Sequence, residues 1–247
     1  VSSGKWLKNI RKKLESPVAV NVKIVSSFKA KLRKYQEIGY SWLNQMTDLE
    51  LGACLADDMG LGKTVQIIAF LEYQRIEKGG KALLILPTSL IGNWEKEIEK
   101  FAPELPYQIL HKSIAKNSDG MKINEDKFLY ITTYKMVSKI EDLKTRKWNY
   151  MILDEAQAIK NPGTKQTKEI KSIKAKVRIA MTGTPIENRL GDLWSLFDFL
   201  NPGLLGSPKE FSDFANGLKD DLKGYAKLRK IISPFILRRL KTDKSII

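Results

Sequence analysis

Gly60, Gly62, Lys63 and Thr64 form the most specific chemical pattern in the sequence, because they occur together as Gly-Leu-Gly-Lys-Thr. Glycines let backbone N–H groups wrap closely around an anion, and a following helix start adds the positive end of its dipole. A lysine at this spacing reaches the β- and γ-phosphates of a nucleotide, and the next hydroxyl binds Mg²⁺. An apolar run precedes the loop and a helical pattern follows it, as such a loop requires. The pattern predicts a nucleotide-phosphate site.

Asp154 and Glu155 directly follow the apolar run Ile152-Leu153. In enzymes with a phosphate loop, a carboxylate at a strand end holds Mg²⁺, and a neighbouring group can orient and activate the attacking water. We assign Asp154 to the metal and Glu155 to the water. Alone, such a pair is most often a solvated helix start. Its position downstream of a phosphate loop makes the catalytic interpretation strong.

Thr182, Gly183 and Thr184 follow another apolar run. Two hydroxyls around a glycine favour a tight turn whose side chains can hydrogen-bond a carboxylate or a phosphate. An ordinary turn at the end of a strand is the alternative, and the segment alone favours that alternative.

Short apolar runs alternate with longer amphipathic stretches, and these elements must position the three segments. The predicted strands are Ala53–Ala56, Ala82–Leu86, Tyr107–Leu110, Phe128–Thr132, Tyr150–Leu153 and Val177–Met181. Helical patterns cover residues 32–46, Thr64–Lys78, Leu90–Phe101, Tyr134–Ile140 and Thr164–Ile173. Continuous apolar runs are typical of strands buried on both faces of a parallel sheet. The alternation predicts an α/β fold with helices on both faces of a mostly parallel sheet.

The pattern changes towards both ends of the chain. Residues 1–27 predict a basic helix and then an extended piece, Val18–Val25. After Leu190 only helical patterns remain, over Leu193–Leu200, Pro208–Leu218 and Leu222–Ile232. We therefore expect an N-terminal extension at 1–27, an ATP-binding lobe at 28–189, a small helical subdomain at 190–234 and a linker at 235–247.

Charge and cysteine content narrow the function. The net charge of +15 over 247 residues favours a polyanionic partner, nucleic acid before a membrane surface, although lysine enrichment for solubility is an alternative. One cysteine excludes an intrachain disulfide, and with a single histidine neither a zinc site nor a histidine-based triad is plausible. The apolar runs are about as long as a strand, so we expect no membrane span.

Seven segments in a fixed order resemble the Swi/Snf family of helicase-like motors in superfamily II, which includes chromatin remodellers and recombination translocases. In chain order they are Leu32–Gln36, Asp57–Thr64, Leu86–Leu90 with Asn93-Trp94, Thr132–Tyr134, Asp154–Gln157, Thr182–Asn188 and Pro234–Arg239. The resemblance covers residues 30–240. Asp57 stands where the general phosphate loop has glycine, and it matches the version of the loop found in this family.

The resemblance implies a RecA-like P-loop NTPase lobe that binds ATP and Mg²⁺. The implied ATP-binding residues are Gln36, which would bind the adenine edge, and Asp57, Asp58, Met59, Gly60, Leu61, Gly62, Lys63 and Thr64. Lys63, Asp154 and Glu155 would be catalytic, and Thr64 and Asp154 would hold the metal. Gln157, which stands where the family often has histidine, would couple nucleotide state to Thr182, Gly183 and Thr184.

The resemblance also places nucleic-acid contacts on this lobe. The implied contacts are Thr88, Ser89, Asn93, Thr133 and Tyr134, with Lys160 and Asn161 as further candidates. Small hydroxyls suit phosphate contacts, which position a protein without selecting a sequence. For Trp94 and Tyr134, packing in the core is at least as good an interpretation as DNA contact.

The implied function is ATP-driven movement along double-stranded DNA, with a second RecA-like lobe and a nucleoprotein as possible partners. A second lobe would supply arginines, so we expect little hydrolysis from this chain alone. The alternatives are a DNA-binding module with a vestigial nucleotide pocket and a small-molecule kinase. Compact loops indicate a prokaryotic source and a cytoplasmic or nucleoid location; a eukaryotic protein would be nuclear.

Overall fold

The computed structural model describes Leu14 and residues 22–111, 122–183, 190–217 and 222–243. The predicted N-terminal helix and the first part of the predicted extended piece therefore lie outside the described residues, apart from Leu14. No helix among the described residues is long and apolar enough to cross a membrane.

A seven-stranded sheet forms the centre of the molecule. Its strands are β1 (Ala53–Leu55), β2 (Ala82–Leu86), β3 (Tyr107–Leu110), β4 (Leu129–Thr133), β5 (Lys147–Leu153), β6 (Lys174–Met181) and β7 (Ile236–Leu237). They lie in the order β3-β4-β2-β5-β6-β1-β7. Every pair of neighbouring strands is parallel. The carboxyl ends of all the strands therefore share one edge of the sheet, where ligands bind in folds of this kind.

Helices cover both faces of the sheet. In the described residues they are α1 (Lys34–Asp48), α2 (Lys63–Glu77), α3 (Ile91–Phe101), the single turn α4 (Asp142–Thr145), α5 (Lys165–Ser172), α6 (Leu190–Leu200), α7 (Pro208–Gly217) and α8 (Leu222–Ile232). Alternate residues of the strands belong to two separate apolar clusters, one on each face. Leu84 and Ile152 pack into the first cluster, and Leu83, Ile85 and Met151 into the second. The predicted α/β architecture is confirmed.

The structure differs from the sequence prediction at several elements, among them the unpredicted turn α4. The helix predicted over Tyr134–Ile140 is wrong, because only a 3₁₀ turn at Val137–Lys139 forms there. The apolar residues of this segment fill the second cluster through successive turns, and so short an apolar pattern cannot distinguish turns from a helix. The predicted linker contains β7, which pairs with β1 through Cys54 and Ile236. A two-residue strand gives no periodic signal in the sequence.

Candidate active site

The predicted site segments meet at the carboxyl edge of the sheet. The loop after β1 carries Gly60–Gly62 and leads into Lys63 and Thr64 at the start of α2, Asp154 follows β5, and Thr182 follows β6. Because β5, β6 and β1 are neighbours, these three segments lie side by side. Segments far apart in the sequence are brought together because each ends a strand of the same parallel sheet.

The phosphate loop has the backbone shape that its glycines predict. Gly60 and Gly62 have φ angles of 87° and 77°, in the region that a side chain disfavours. The Lys63 ammonium folds back and donates to the Asp57 carbonyl at 2.7 Å. Gly183, in the turn after β6, faces this ammonium: a Cβ placed on Gly183 would lie 3.8 Å from the Lys63 Nζ atom. Lys63 therefore lies between the loop and the turn. Thr184 lies outside the described residues.

Gln36 and Tyr35 hold the phosphate loop from helix α1. The Gln36 amide donates to the Leu61 carbonyl at 3.1 Å and accepts from the Arg33 N–H at 2.9 Å. The Tyr35 hydroxyl donates to the same Leu61 carbonyl at 3.0 Å. Gln36 therefore braces the loop in this conformation, and its contact with adenine stays a prediction.

Two N–H groups fix the Asp154 carboxylate. The Trp94 indole donates to Oδ2 at 2.8 Å, and the Glu155 N–H donates to Oδ1 at 2.9 Å. Burial raises the pKa of Asp154 above its ordinary value; the Trp94 hydrogen bond and the nearby Lys63 charge act in the opposite direction. The site therefore favours a positive charge beside this carboxylate.

Glu155 and Gln157 link the acidic segment to the turn after β6. Glu155 has a φ of 51°, a left-handed conformation that is uncommon for a residue with a side chain and is typical of functional sites. The Gln157 amide donates to the Glu155 carboxylate at 2.6 Å and accepts from the Thr182 hydroxyl at 3.1 Å. Glu155, Gln157 and Thr182 thus form one chain of hydrogen bonds, and the coupling of nucleotide state through it stays a prediction.

The donor atoms at this edge fit Mg²⁺. The described residues contain no cluster of three or more histidine, cysteine or acidic side chains that could enclose a metal. Mg²⁺ in nucleotide sites usually binds through one or two protein oxygens and the phosphates, so such a cage is not required. Asp154 supplies a carboxylate at the end of β5, and Thr64 supplies a hydroxyl in the first turn of α2. Both are the hard oxygen donors that this ion prefers.

The predicted DNA contacts separate into exposed and buried groups. The exposed ones are Thr88, Ser89, Asn93, Lys160 and Asn161. Thr133 and Tyr134 are buried, with 1% and 7% of their surface accessible, so the prediction that their side chains contact DNA is corrected. Tyr134 instead donates its hydroxyl to the Asp154 carbonyl at 2.6 Å. For Trp94, which is 1% exposed, the core interpretation is confirmed.

A buried ion pair between Arg239 and Asp57 was not expected from the sequence. The guanidinium contacts both carboxylate oxygens, with its Nε atom 2.8 Å from Oδ1. Its Nη2 atom also donates to Gln66 at 2.7 Å, and its plane lies over the Tyr35 ring. The Asp57 side chain is completely buried, so it shapes the loop and is not itself exposed to a nucleotide. Asp57 and the Arg238-Arg239 segment both belong to segments that resemble the family. No local pattern in the sequence predicts that the two side chains form an ion pair.

The segment after β7 lies across the phosphate loop. The Asp58 N–H donates to the Arg239 carbonyl at 3.0 Å, and the Lys241 N–H donates to the Asp58 carboxylate at 3.1 Å. A Cβ on Gly60 would lie 2.9 Å from the Lys241 ammonium. Residues 237–241 therefore form one wall of the loop.

Comparison with known proteins decides the family. A family model described as the SNF2-related domain matches residues 35–246. The chain belongs to this family. Among SNF2-related proteins, it is 40% identical over 233 residues to the putative ATP-dependent helicase/translocase YwqA of Bacillus subtilis. It is 37% identical over 222 residues to the ISWI chromatin-remodeling complex ATPase ISW2 of Saccharomyces cerevisiae. The resemblance inferred from the sequence is confirmed.

A solved SNF2-related structure matches the whole fold. The SWI2/SNF2 ATPase core of Sulfolobus solfataricus in complex with double-stranded DNA superposes with a TM-score of 0.84 at 47% sequence identity. The match covers 91% of this chain and 48% of that one. The alignments cover 91% of this chain and 25% of YwqA, and 86% of this chain and 20% of ISW2. The SNF2-related chain therefore spans a quarter or less of these two relatives.

Proposed function

We propose that this chain is the ATP-binding lobe of a motor that couples ATP hydrolysis to movement along double-stranded DNA. One observation carries the proposal: the phosphate loop, the Asp154-Glu155 pair and the Gln157–Thr182 hydrogen bond meet at the ends of three adjacent parallel strands. The similarity to a core solved with double-stranded DNA supports the choice of substrate.

Each part of the site then has a role in hydrolysis. The backbone of Gly60–Gly62 surrounds the β- and γ-phosphates, and Lys63 exchanges its contact with the Asp57 carbonyl for a phosphate oxygen. Thr64 and Asp154 would hold Mg²⁺, which would supply positive charge for the transferring phosphoryl group. Glu155 accepts a proton from the attacking water.

Gln157 reports the nucleotide state to the turn after β6. It contacts the water-activating Glu155 on one side and Thr182 on the other, so movement of the carboxylate changes both hydrogen bonds. Gly183 of the same turn faces Lys63. The turn after β6 is therefore linked both to the water-activating Glu155, through Gln157, and to the phosphate-binding Lys63.

Exposed polar residues on the same edge contact the DNA backbone. Thr88 and Ser89 begin the segment before α3, Asn93 lies in its first turn, and Lys160 and Asn161 follow the acidic segment. Hydroxyl, amide and ammonium groups suit phosphates and carry no sequence preference. The net charge of +15 adds a long-range attraction to any duplex.

A second RecA-like lobe completes the site in this proposal. It supplies arginines, which in related phosphoryl transfers are worth roughly 10³–10⁵ in rate, so this chain alone hydrolyses ATP slowly. We retain 28–189 as the ATP-binding lobe and 190–234 as a helical subdomain. The motor acts wherever chromosomal DNA lies, in the nucleoid or the nucleus, and a nucleoprotein is a further substrate class.

The test is steady-state ATP hydrolysis by the intact protein, titrated with duplex and with single-stranded DNA of equal length. We expect stimulation by duplex and its loss in Lys63→Ala. Stimulation by single strands alone would contradict the duplex assignment. A protein that binds duplex but hydrolyses no ATP, with or without DNA, would instead indicate a DNA-binding module whose nucleotide pocket is vestigial.

A further inference from the structure

Trp94 connects the exposed surface of α3 to the interior of the active site. Its indole N–H donates to Asp154 Oδ2 at 2.8 Å, and the ring is 1% exposed. Asn93, its neighbour in the chain, is exposed on the adjacent face of the same helical turn. Successive helical residues point in directions about 100° apart. The exposed Asn93 amide and the buried Trp94 indole N–H are therefore joined by a single peptide bond.

The Asp154 carboxylate is held in one orientation. Oδ1 accepts from the Glu155 N–H at 2.9 Å, and Oδ2 accepts from Trp94. The Asp154 carbonyl accepts from the Tyr134 hydroxyl at 2.6 Å. The only donor to this carboxylate from a different element is therefore Trp94, among the described residues.

We infer that Trp94 is a positioning residue that orients Asp154 and transmits the position of α3 to it. This inference rests on the proposed function. A helix moves as a rigid element, so phosphates bound by Asn93 in its first turn, and by Thr88 and Ser89 just before it, fix the position of the indole. The indole in turn fixes the carboxylate. Contact with a duplex on the outer surface thereby favours one orientation of the carboxylate for Mg²⁺.

Trp148 provides a matched control for Trp94. It is also buried, at 2% exposure, and its indole N–H also donates one hydrogen bond, at 2.9 Å to the Leu143 carbonyl. Replacing either residue by phenylalanine removes one donor and a similar volume. Only Trp94 donates to a residue of the proposed site. A general loss of core packing should therefore lower the activity of both variants. A loss of Asp154 positioning should lower the activity of Trp94→Phe alone.

The experiment compares Trp94→Phe and Trp148→Phe in the intact protein. The measurements are kcat, KM for ATP and the Mg²⁺ requirement, with and without saturating duplex, and the dissociation constant for duplex. Removing a group that orients a metal ligand typically costs about 10- to 100-fold in activity or metal affinity. We expect that loss in duplex-stimulated kcat and a higher Mg²⁺ requirement for Trp94→Phe, with duplex affinity within about twofold of the wild type.

Two results would overturn the inference: duplex-stimulated kcat of Trp94→Phe close to the wild-type value, or an equal loss in Trp148→Phe. If Trp94→Phe does not fold, Trp94→Met is measured in its place, since methionine also removes the indole donor to Asp154 and suits a helix. Unchanged kcat and Mg²⁺ requirement in that variant would equally refute the inference. A wild-type protein without duplex stimulation contradicts the proposed function instead, and the Mg²⁺ requirement of basal hydrolysis then tests Trp94 alone.

Discussion

Replacing Arg239 by methionine isolates the contribution of the buried ion pair beneath the phosphate loop. Methionine keeps an unbranched apolar side chain and removes the guanidinium. The Asp57 carboxylate then stays completely buried, with the Gln66 amide, 3.3 Å away, and the Arg239 N–H as its remaining donors. Removing one partner of a buried ion pair costs about 3–5 kcal/mol, because the other charge loses its compensation. We expect a loss of that size in the free energy of unfolding.

Urea denaturation followed by circular dichroism measures this loss. Arg146→Met is the matched control, because Arg146 also forms a two-pronged pair, with Glu125, but that carboxylate is 64% exposed. Exposed pairs contribute little, so we expect no measurable shift of the midpoint in the control. The two variants have the same chemical change and differ in burial.

Adding Asp57→Asn to Arg239→Met tests the physical reason. The double variant has no uncompensated buried charge, so we expect it to be more stable than Arg239→Met alone. If Arg239→Met unfolds at the same urea concentration as Arg146→Met, burial does not set the energy of this pair. If the double variant is less stable than Arg239→Met, the buried charge is not the source of the loss. Either result refutes the reasoning.

Three further predictions concern single residues. Glu155→Gln should lower duplex-stimulated kcat by about 10²–10⁴ and leave ATP affinity unchanged, since it removes only the proton acceptor; equal loss of affinity, measured by equilibrium binding, would contradict this role. Gly52→Ala should destabilise by about 1–3 kcal/mol in urea denaturation, because its Cβ would lie 2.2 Å from the Leu200 carbonyl oxygen. Gly92→Ala, with open space around its Cβ, should instead be neutral or stabilising by up to about 1 kcal/mol. Burial, and to a smaller extent the Asp57 charge, raise the pKa of the Cys54 thiol to about 12. A thiol reagent at pH 8 should therefore label Cys54 only in denaturant. Rapid labelling of the native protein would show that β1 opens.

The sequence by itself predicted the kind of site and determined the fold class. The phosphate loop, the Asp154-Glu155 pair and the turn at Thr182 are short contiguous segments. Their residue types predict a role in phosphate and metal binding without any knowledge of distant residues. Continuous apolar runs predicted buried parallel strands, and parallel strands bring such segments to one edge. The strand limits of β2 and β3 were predicted without error, because runs of apolar residues bounded by polar ones are local signals.

Only the tertiary structure decided which distant residues contact one another. Arg239 and Asp57 are 182 positions apart, and their pairing depends on β7 joining the sheet beside β1. Trp94 had two open interpretations, because the family resemblance implied a DNA contact and an amphipathic helix suited packing in the core. Its burial, at 1% exposure, decided for the core, and its hydrogen bond to Asp154 joins residues 60 positions apart. Side-chain burial and long-range pairing follow from how helices pack on the sheet, and no local segment of the sequence contains that information.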